Sequence, residues 1–310
     1  MKPLIAPVDK DILIKELTRE RFVRDTNYGK NEIYVVTNND SPNVLKEIGK
    51  LREVTFRAAG GGTGLDCDLD EFDTDNICYQ QLIVWNPGDK EIVGGYRFIL
   101  IRNADKDEKG FPKLSTSHYF KFSDAFVKKY APYTIELGRS FVQPMYQPGS
   151  TNRKGLFSLD NLWDGLGAIY IDNPDQKYFF GKMTLYKNYN RHARDMLMYF
   201  LELYFSDPEN LVVPYKPLVY STDISEFKPL FKKDMPYKEA HAILNQSIRK
   251  LGENIPPLFN SYMNISPSMK TFGAADNLDF GGVEETGILV TIADIYPSKT
   301  ERHITSYKKK

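Results

Sequence analysis

Cysteine is almost missing from this chain of 310 residues: Cys67 and Cys78 stand alone. Two are too few for a disulfide framework, and their scarcity suggests a reducing compartment. Net charge is missing as well. Lys and Arg total 41 against 41 Asp and Glu, a balance that argues against a protein held to nucleic acid by its global field and leaves room only for a local basic patch. No run approaches the ~18 apolar residues of a membrane span. The start, Met1-Lys2-Pro3-Leu4, lacks the apolar heart of a secretory signal, so a soluble, cytoplasmic protein is expected. Repeats and low-complexity tracts are lacking. His118, His192, His241 and His303 have no metal-ligand spacing and no Ser-His-Asp grouping forms around them. Neither a metal nor a serine nucleophile is therefore expected.

What is present is a pattern of alternating elements. The spacing predicts a short amphipathic helix over 12–21, a strand over 32–37, and a helix opened by Ser41 and Pro42, a hydroxyl cap followed by proline in the first turn. Val44, Ile48, Leu51 and Thr55 mark one stripe of that helix, with Ile48, Arg52 and Phe56 beside it. A flexible glycine loop is expected over 58–64, then an acidic stretch to Asp75. Strands follow over 79–85, 91–101 and 133–142, a helix over 159–170, a strand over 177–185 and a helix over 191–205. A proline-rich connector, 208–229, leads to a helix over 238–250 and a strand over 287–295. The domains read as an N-terminal helix and strand, 1–40; an α/β core, 41–206, with a mixed central sheet flanked by helices; and a C-terminal α+β extension, 207–310, packed on the core.

Chemistry concentrates in Tyr133-Thr134-Ile135-Glu136-Leu137-Gly138-Arg139-Ser140-Phe141-Val142. Regular pairing would send Glu136 and Arg139 to opposite faces, but a glycine inside a strand often marks a bulge. A bulge here would turn Arg139 toward the face of Glu136 and free a backbone N–H beside both. A carboxylate, a cation and a spare amide donor suit acyl transfer. Taken alone, an acid and an arginine on one strand are more often a structural ion pair.

Three more segments accompany it: Leu51-Arg52-Glu53-Val54-Thr55-Phe56-Arg57, Asp70-Glu71-Phe72-Asp73 and Gly94-Gly95-Tyr96-Arg97-Phe98. In this order they resemble the acyltransferases of the GNAT superfamily that use acyl carrier protein. These are the acyl-homoserine-lactone synthases and, more closely, the bacterial ornithine-lipid and glycine-lipid N-acyltransferases, often labelled hemolysin-like. The likeness spans about residues 45–205 and continues at Ile255-Pro256-Pro257-Leu258 through Tyr262.

The resemblance implies a GNAT-like fold and an N-acyltransferase that moves a (3-hydroxy)fatty acyl group from acyl carrier protein to the α-amine of glycine or ornithine. Glu136 would take the amine proton, with Arg139 orienting it or holding a substrate carboxylate. Ser140 would add a hydrogen bond, and Tyr189 would protonate the leaving thiolate. Arg52, Phe56, Asp70, Asp73 and Arg97 match the acceptor side, where Asp70 and Asp73 attract the ammonium and the arginines complete a polar network. The alternative is a solvated acidic loop and a structural ion network; a calcium loop is opposed by the missing central glycine and terminal glutamate. The superfamily's coenzyme A loop is replaced by Gln143-Pro144-Met145-Tyr146-Gln147-Pro148-Gly149, whose prolines remove amide donors. That favours acyl-phosphopantetheine on a carrier protein, with no bound cofactor. Arg153, Lys154 and Arg191, with Lys182, Lys187 and Arg194, would form its basic contact surface. Peripheral contact with the inner membrane face through Lys308-Lys309-Lys310 is a further expectation. The rival readings are a shorter lactone-type signal synthase and a membrane-active protein without catalysis.

Overall fold

β-branched and aromatic runs bounded by Gly, Pro and Asn turns build the strands. The computed structural model describes residues 1–147 and 153–307, without the side chains of Arg153 and Lys154. The strands are β1 (Phe22–Asp25), β2 (Glu32–Val36), β3 (Gln80–Asn86), β4 (Glu91–Leu100), β5 (Phe120–Phe122), β6 (Thr134–Val142), β7 (Tyr178–Leu185), β8 (Val212–Pro214), β9 (Lys270–Asn277) and β10 (Val283–Thr291). The helices are α1 (Lys10–Glu16), α2 (Pro42–Ala58), α3 (Glu71–Thr74), α4 (Ser158–Asp172), α5 (Arg191–Tyr204), α6 (Tyr237–Lys250), α7 (Pro257–Met263) and α8 (Pro297–His303). Eight strands form one sheet in the order β1-β2-β3-β4-β6-β7-β10-β9, and β5 pairs with β8 apart from it. This mixed sheet flanked by helices is the α/β architecture expected.

Within that sheet every neighbouring pair is antiparallel except β6 and β7. Those two run parallel and pair only at Thr134–Tyr178, Ile135–Phe179 and Glu136–Phe180. Beyond that point β6 follows β4 and β7 follows β10, so the two strands part and leave a wedge in the middle of the sheet. Glycine allows the apex. A Cβ on Gly181 would lie 2.6 Å from the Leu137 carbonyl oxygen, backbone that has no room to yield.

Strand alternation then sorts the core. Leu82, Val84, Tyr96, Phe98, Ile135, Phe179, Met183, Leu185, Ile288 and Val290 face α4, α5, α6 and α7. On the other face the apolar residues form two separate clusters. One joins Ile83, Trp85 and Phe141 to α1 and α2, and the other joins Ile99, Phe180 and Leu289 to β5 and the segment before it. Each buried Leu or Phe contributes about 1.5–3 kcal/mol, so the polar strip that interrupts this face forgoes substantial apolar burial.

Several expectations need correction. The first helix ends at Glu16, and the chain turns into β1, which was not foreseen, as β9 was not. Ser41 is fully buried and its side chain does not cap α2. The Glu16 carboxylate does so instead, accepting from the Asn43 and Val44 amides at 3.2 and 2.8 Å, since a helix start leaves its first N–H groups without intrahelical partners. The glycine loop after α2 is pinned rather than flexible. The buried Glu53 carboxylate accepts from Thr63 N, Thr63 Oγ1 and Gly64 N at 3.0, 2.8 and 2.7 Å, and Arg57 Nε holds it from the other side at 2.7 Å.

Candidate active site

The site grows from a bulge in β6. Gly95 pairs with Phe141 and Arg97 with Gly138, so Tyr96 alone faces both Arg139 and Ser140. The expected bulge is therefore present, but a different residue makes the turn. Arg139 has φ +52°, whereas Gly138 is not among the positive-φ residues. A left-handed non-glycine costs about 1–3 kcal/mol. The ions that Arg139 reaches offset that cost: Nε is 3.1 Å from Asp68 Oδ2, Nη2 is 3.6 Å from Asp70 Oδ2, and the guanidinium lies 4.4 Å from the centre of the Phe280 ring. Arg139 and Ser140 have no register partner in either the β4 or the β7 ladder.

From there a polar strip runs under α2 and α3. Arg52 Nη1 donates to both oxygens of Asp73 at 3.1 Å, and its Nη2 donates to Gln81 Oε1 at 2.5 Å. Arg97 Nη1 bridges Asp70 Oδ1 at 2.5 Å and Asp73 Oδ2 at 2.9 Å. Its guanidinium also lies against the rings of Phe72 and Tyr79. Glu136 enters through neutral donors rather than through an ion pair. The Tyr79 hydroxyl donates to its Oε2, while Ser115 Oγ and Thr116 N donate to its Oε1 at 3.3 and 3.2 Å. Thus Arg139 does not orient Glu136 directly; its partners are Asp68 and Asp70.

Burial and charge compete along the strip. At Asp73 burial favours the proton, but the Arg52 and Arg97 charges outweigh it and hold the carboxyl well below the usual carboxylate range. At Glu136 burial wins: the carboxyl is pushed up, and the donors from Tyr79 and Thr116 and the charge of Arg97 offset this only in part. Access differs too. Asp73 and Glu136 are 0% exposed, whereas the Asp70 side chain is 24% and that of Arg139 15% exposed. Asp70 and Asp73 are therefore not an equivalent pair facing the acceptor. Asp73 is saturated by two arginines, and only Asp70 meets solvent.

The remaining expected residues fall at varied distances from this opening. Ser140 is exposed on the bulge itself. Phe56 is one ring behind, packed edge-on against Phe280 at 5.0 Å. The Tyr189 hydroxyl donates to the Asn254 carbonyl at 2.9 Å, which engages the proton that a thiolate would need. Tyr186 lies nearer, between Gly61 and the cluster holding Phe280. Arg191 pairs with Glu284 of β10 although its side chain is 55% exposed. Arg194 is buried between Glu284 and Asp195, and Lys182 lies within the sheet beside Glu285, so neither belongs to a basic surface. The side chains of Arg153 and Lys154 and the Lys308–Lys310 tail lie outside the described residues.

Sequence reasoning missed Asp68, Tyr79, Gln81, Ser115 and Thr116, and placed Lys182 on a basic surface instead of in the sheet. Asp68 was hidden among the acids of its loop, and nothing in the sequence distinguishes Tyr79 from the other 19 of the chain's 20 tyrosines. Tyr79 and Phe72 also line a cavity of about 320 Å³ with Ile77, Ile99, Leu114 and His118, whose lining includes neither Glu136 nor Arg139.

Residues 51–154 match the family described as acetyltransferase (GNAT) domain. Over 99% of its length the chain is 55% identical to a protein of Bacteroides thetaiotaomicron named glycine N(alpha)-acyltransferase, of which it covers 91%. A protein of the same name from Phocaeicola vulgatus is 54% identical over 100% of this chain and 94% of its own. A solved structure, that of the AHL synthase LasI, is similar at 17% identity and a TM-score of 0.31, covering 49% of this chain and 71% of that one.

Proposed function

The chain belongs to the family of these N(alpha)-acyltransferases and is an N-acyltransferase of the GNAT type, and from that premise we propose that it moves a (3-hydroxy)fatty acyl group from acyl carrier protein to the amine of glycine. One observation carries the reading. At the point where β6 and β7 part, the bulge brings Arg139 and the partly exposed Asp70 to one opening, with Glu136 two residues back on the face of Gly138. The wedge receives the thioester arm from one side. Asp70 receives the ammonium of the acceptor.

In the transfer, the ammonium first gives one proton to water, the amine lone pair attacks the thioester carbonyl, the C–N bond forms, the C–S bond breaks, and the sulfur leaves as a thiolate that takes up a proton from water. Glu136 takes the amine proton through water, since it is enclosed and cannot touch the acceptor itself. Gly138 adds no side chain of its own to that line, and the nearest atoms to a Cβ there would be Arg97 Nε at 3.7 Å and Ser115 Oγ at 3.8 Å. The bulge amides of Arg139 and Ser140 hold the oxyanion. The carrier-protein donor rests on Pro144 and Pro148, which leave the loop after β6 poor in amide donors for a pyrophosphate. Contact of the Lys308–Lys310 tail with an anionic membrane would keep the enzyme near the bilayer that its product enters.

Purified protein incubated with glycine and either long-chain acyl carrier protein or acetyl-CoA tests this by mass spectrometry of the amide product. Acyl carrier protein should be turned over far faster, and more slowly as salt rises. Efficient turnover of acetyl-CoA would overturn the donor, and the absence of any N-acylglycine would overturn the acceptor.

A further inference from the structure

A charged group on β7 has no part in the chemistry so far. Lys182 lies two residues past Phe180, the last β7 residue paired with β6, so it stands on the opposite wall of the wedge from Gly138. It is held firmly. Its Nζ is 2.5 Å from Glu285 Oε1, the Thr184 hydroxyl donates to the other Glu285 oxygen at 2.8 Å, and Asn277 Nδ2 donates to Oε1 at 3.1 Å. The ammonium also sits 5.0 Å from the centre of the Tyr119 ring.

As a stability device this arrangement is poor, because apolar side chains of similar volume usually serve a sheet interior as well as a buried ion pair or better. Its surroundings point to a ligand. Burial and the charges of Glu285, Asp279 and Asp70 push the Tyr119 hydroxyl up, Arg139 opposes them, and the Arg139 charge also reaches Lys182, so these groups lie near one another. The side chains that meet solvent along this strip are Asp70, Arg139 and Lys182, 24%, 15% and 12% exposed, while Arg97, Asp73 and Glu136 are at 2% or less. An ammonium has three N–H donors. Among the described residues that of Lys182 has one hydrogen bond, to Glu285, which leaves donors for a further anion.

We infer that Lys182 determines acceptor specificity by binding the carboxylate of the amino acid whose ammonium is received at Asp70. This deepens the proposed acylation of glycine and rests on it. A zwitterion carries its two charges one carbon apart, and the opening offers an anion on one wall and a cation with unused donors on the other. Arg139 is less suited to the carboxylate, because Asp68 and Asp70 already take its guanidinium. The Tyr119 ring under the ammonium and the Phe280 ring under Arg139 close the flanks, which suits an acceptor with little or no side chain.

The experiment compares glycine with glycinamide, which has the amine but no carboxylate, as acceptors for the same acyl carrier protein. The wild type should prefer glycine. Lys182→Met should lower kcat/KM for glycine about 10–100-fold, mostly through KM, as expected for losing one charge-assisted contact, and bring the glycine-to-glycinamide ratio close to one. That variant strands the Glu285 charge, so Lys182→Met with Glu285→Gln, which removes both charges, carries the same test if the single variant does not fold. Lys182→Arg should recover part of the preference. An undiminished preference for glycine in the double variant, or equal losses with both acceptors, overturns the assignment. A wild type that acylates neither compound overturns the acylation reading and the inference with it, a result distinct from one in which transfer persists without discrimination.

Discussion

Two ion clusters built from the same residue types lie on opposite faces of one sheet, and adjacent residues of β10 serve them: Glu284 one and Glu285 the other. On the α5 face, Arg194 joins Glu284 to Asp195, and Asp195 Oδ2 accepts from the amides and hydroxyls of Ser221 and Thr222 at 2.7–3.0 Å. That cluster is closed, and it ties the connector to the core. The strip under α2 is open. Among the described residues its buried Arg52 Nε, Arg97 Nε and Thr116 Oγ1 make no hydrogen bond. Each such atom costs about 1–3 kcal/mol, a cost tolerated where a ligand or a pathway occupies the same space. Composition does not separate the structural network from the functional one; satisfaction and access do.

The comparison breaks most sharply at Glu136. Glu136→Gln should slow transfer about 10²–10⁴-fold while circular dichroism reports an intact fold, and retention of more than about half the rate would make Glu136 structural. Its pH behaviour adds a second reading. Because burial raises the Glu136 pKa, the folded protein keeps a proton that the unfolded chain has released above its ordinary value of 4.5. Wild-type stability should fall as pH rises from that value through the raised one, and the Gln variant should lack this component. Urea titrations across pH 4–8, as a rough span around that window, would show it.

Next come the aspartates. Asp73→Asn leaves two buried arginines short of a partner and should cost about 3–5 kcal/mol at neutral pH. The contribution of Asp73 is complete above its ordinary value of 3.8 and is lost as pH falls through its lower folded value, so the gap between variant and wild type should close in acid. Asp195→Asn should cost a comparable amount yet leave the acceptor KM alone. Asp70→Asn should reverse that pattern, with small destabilisation and acceptor KM raised about tenfold, the loss of one ion contact. A raised KM in the Asp195 variant would erase the distinction drawn between the clusters.

The smallest effects concern the two glycines of the wedge. A methyl group at Gly181 meets the Leu137 carbonyl at 2.6 Å and should cost about 1–3 kcal/mol, whereas one at Gly138 meets only ordinary contacts. Gly138→Ala should therefore melt within a few degrees of the wild type but turn over more slowly, since it fills the line between the bulge and Glu136. Equal turnover would remove Gly138 from the path.

The sequence by itself determined the elements with long periodic patterns: α2, α5 and α6, the strands β3 and β4 on either side of the Pro87-Gly88 turn, and the strand that holds Glu136 and Arg139. Those follow from local propensity and from the period of apolar residues, which act within one segment. The resemblance carried by the chain order also grouped Arg52, Asp70, Asp73 and Arg97, though it joined Arg139 to Glu136 rather than to Asp68 and Asp70. Only the tertiary structure decided how they share charge. Asp73 rather than Asp70 is saturated because α2 and β4 converge on it from two sides, and Glu136 is enclosed because Tyr79 and the turn at Ser115–Thr116 fold over it. The same holds for Lys182, which reads as one surface lysine in the sequence but is drawn into the sheet by Glu285, 103 residues away in the chain. Burial and the parting of β6 from β7 depend on contacts between distant segments, and no local pattern encodes them.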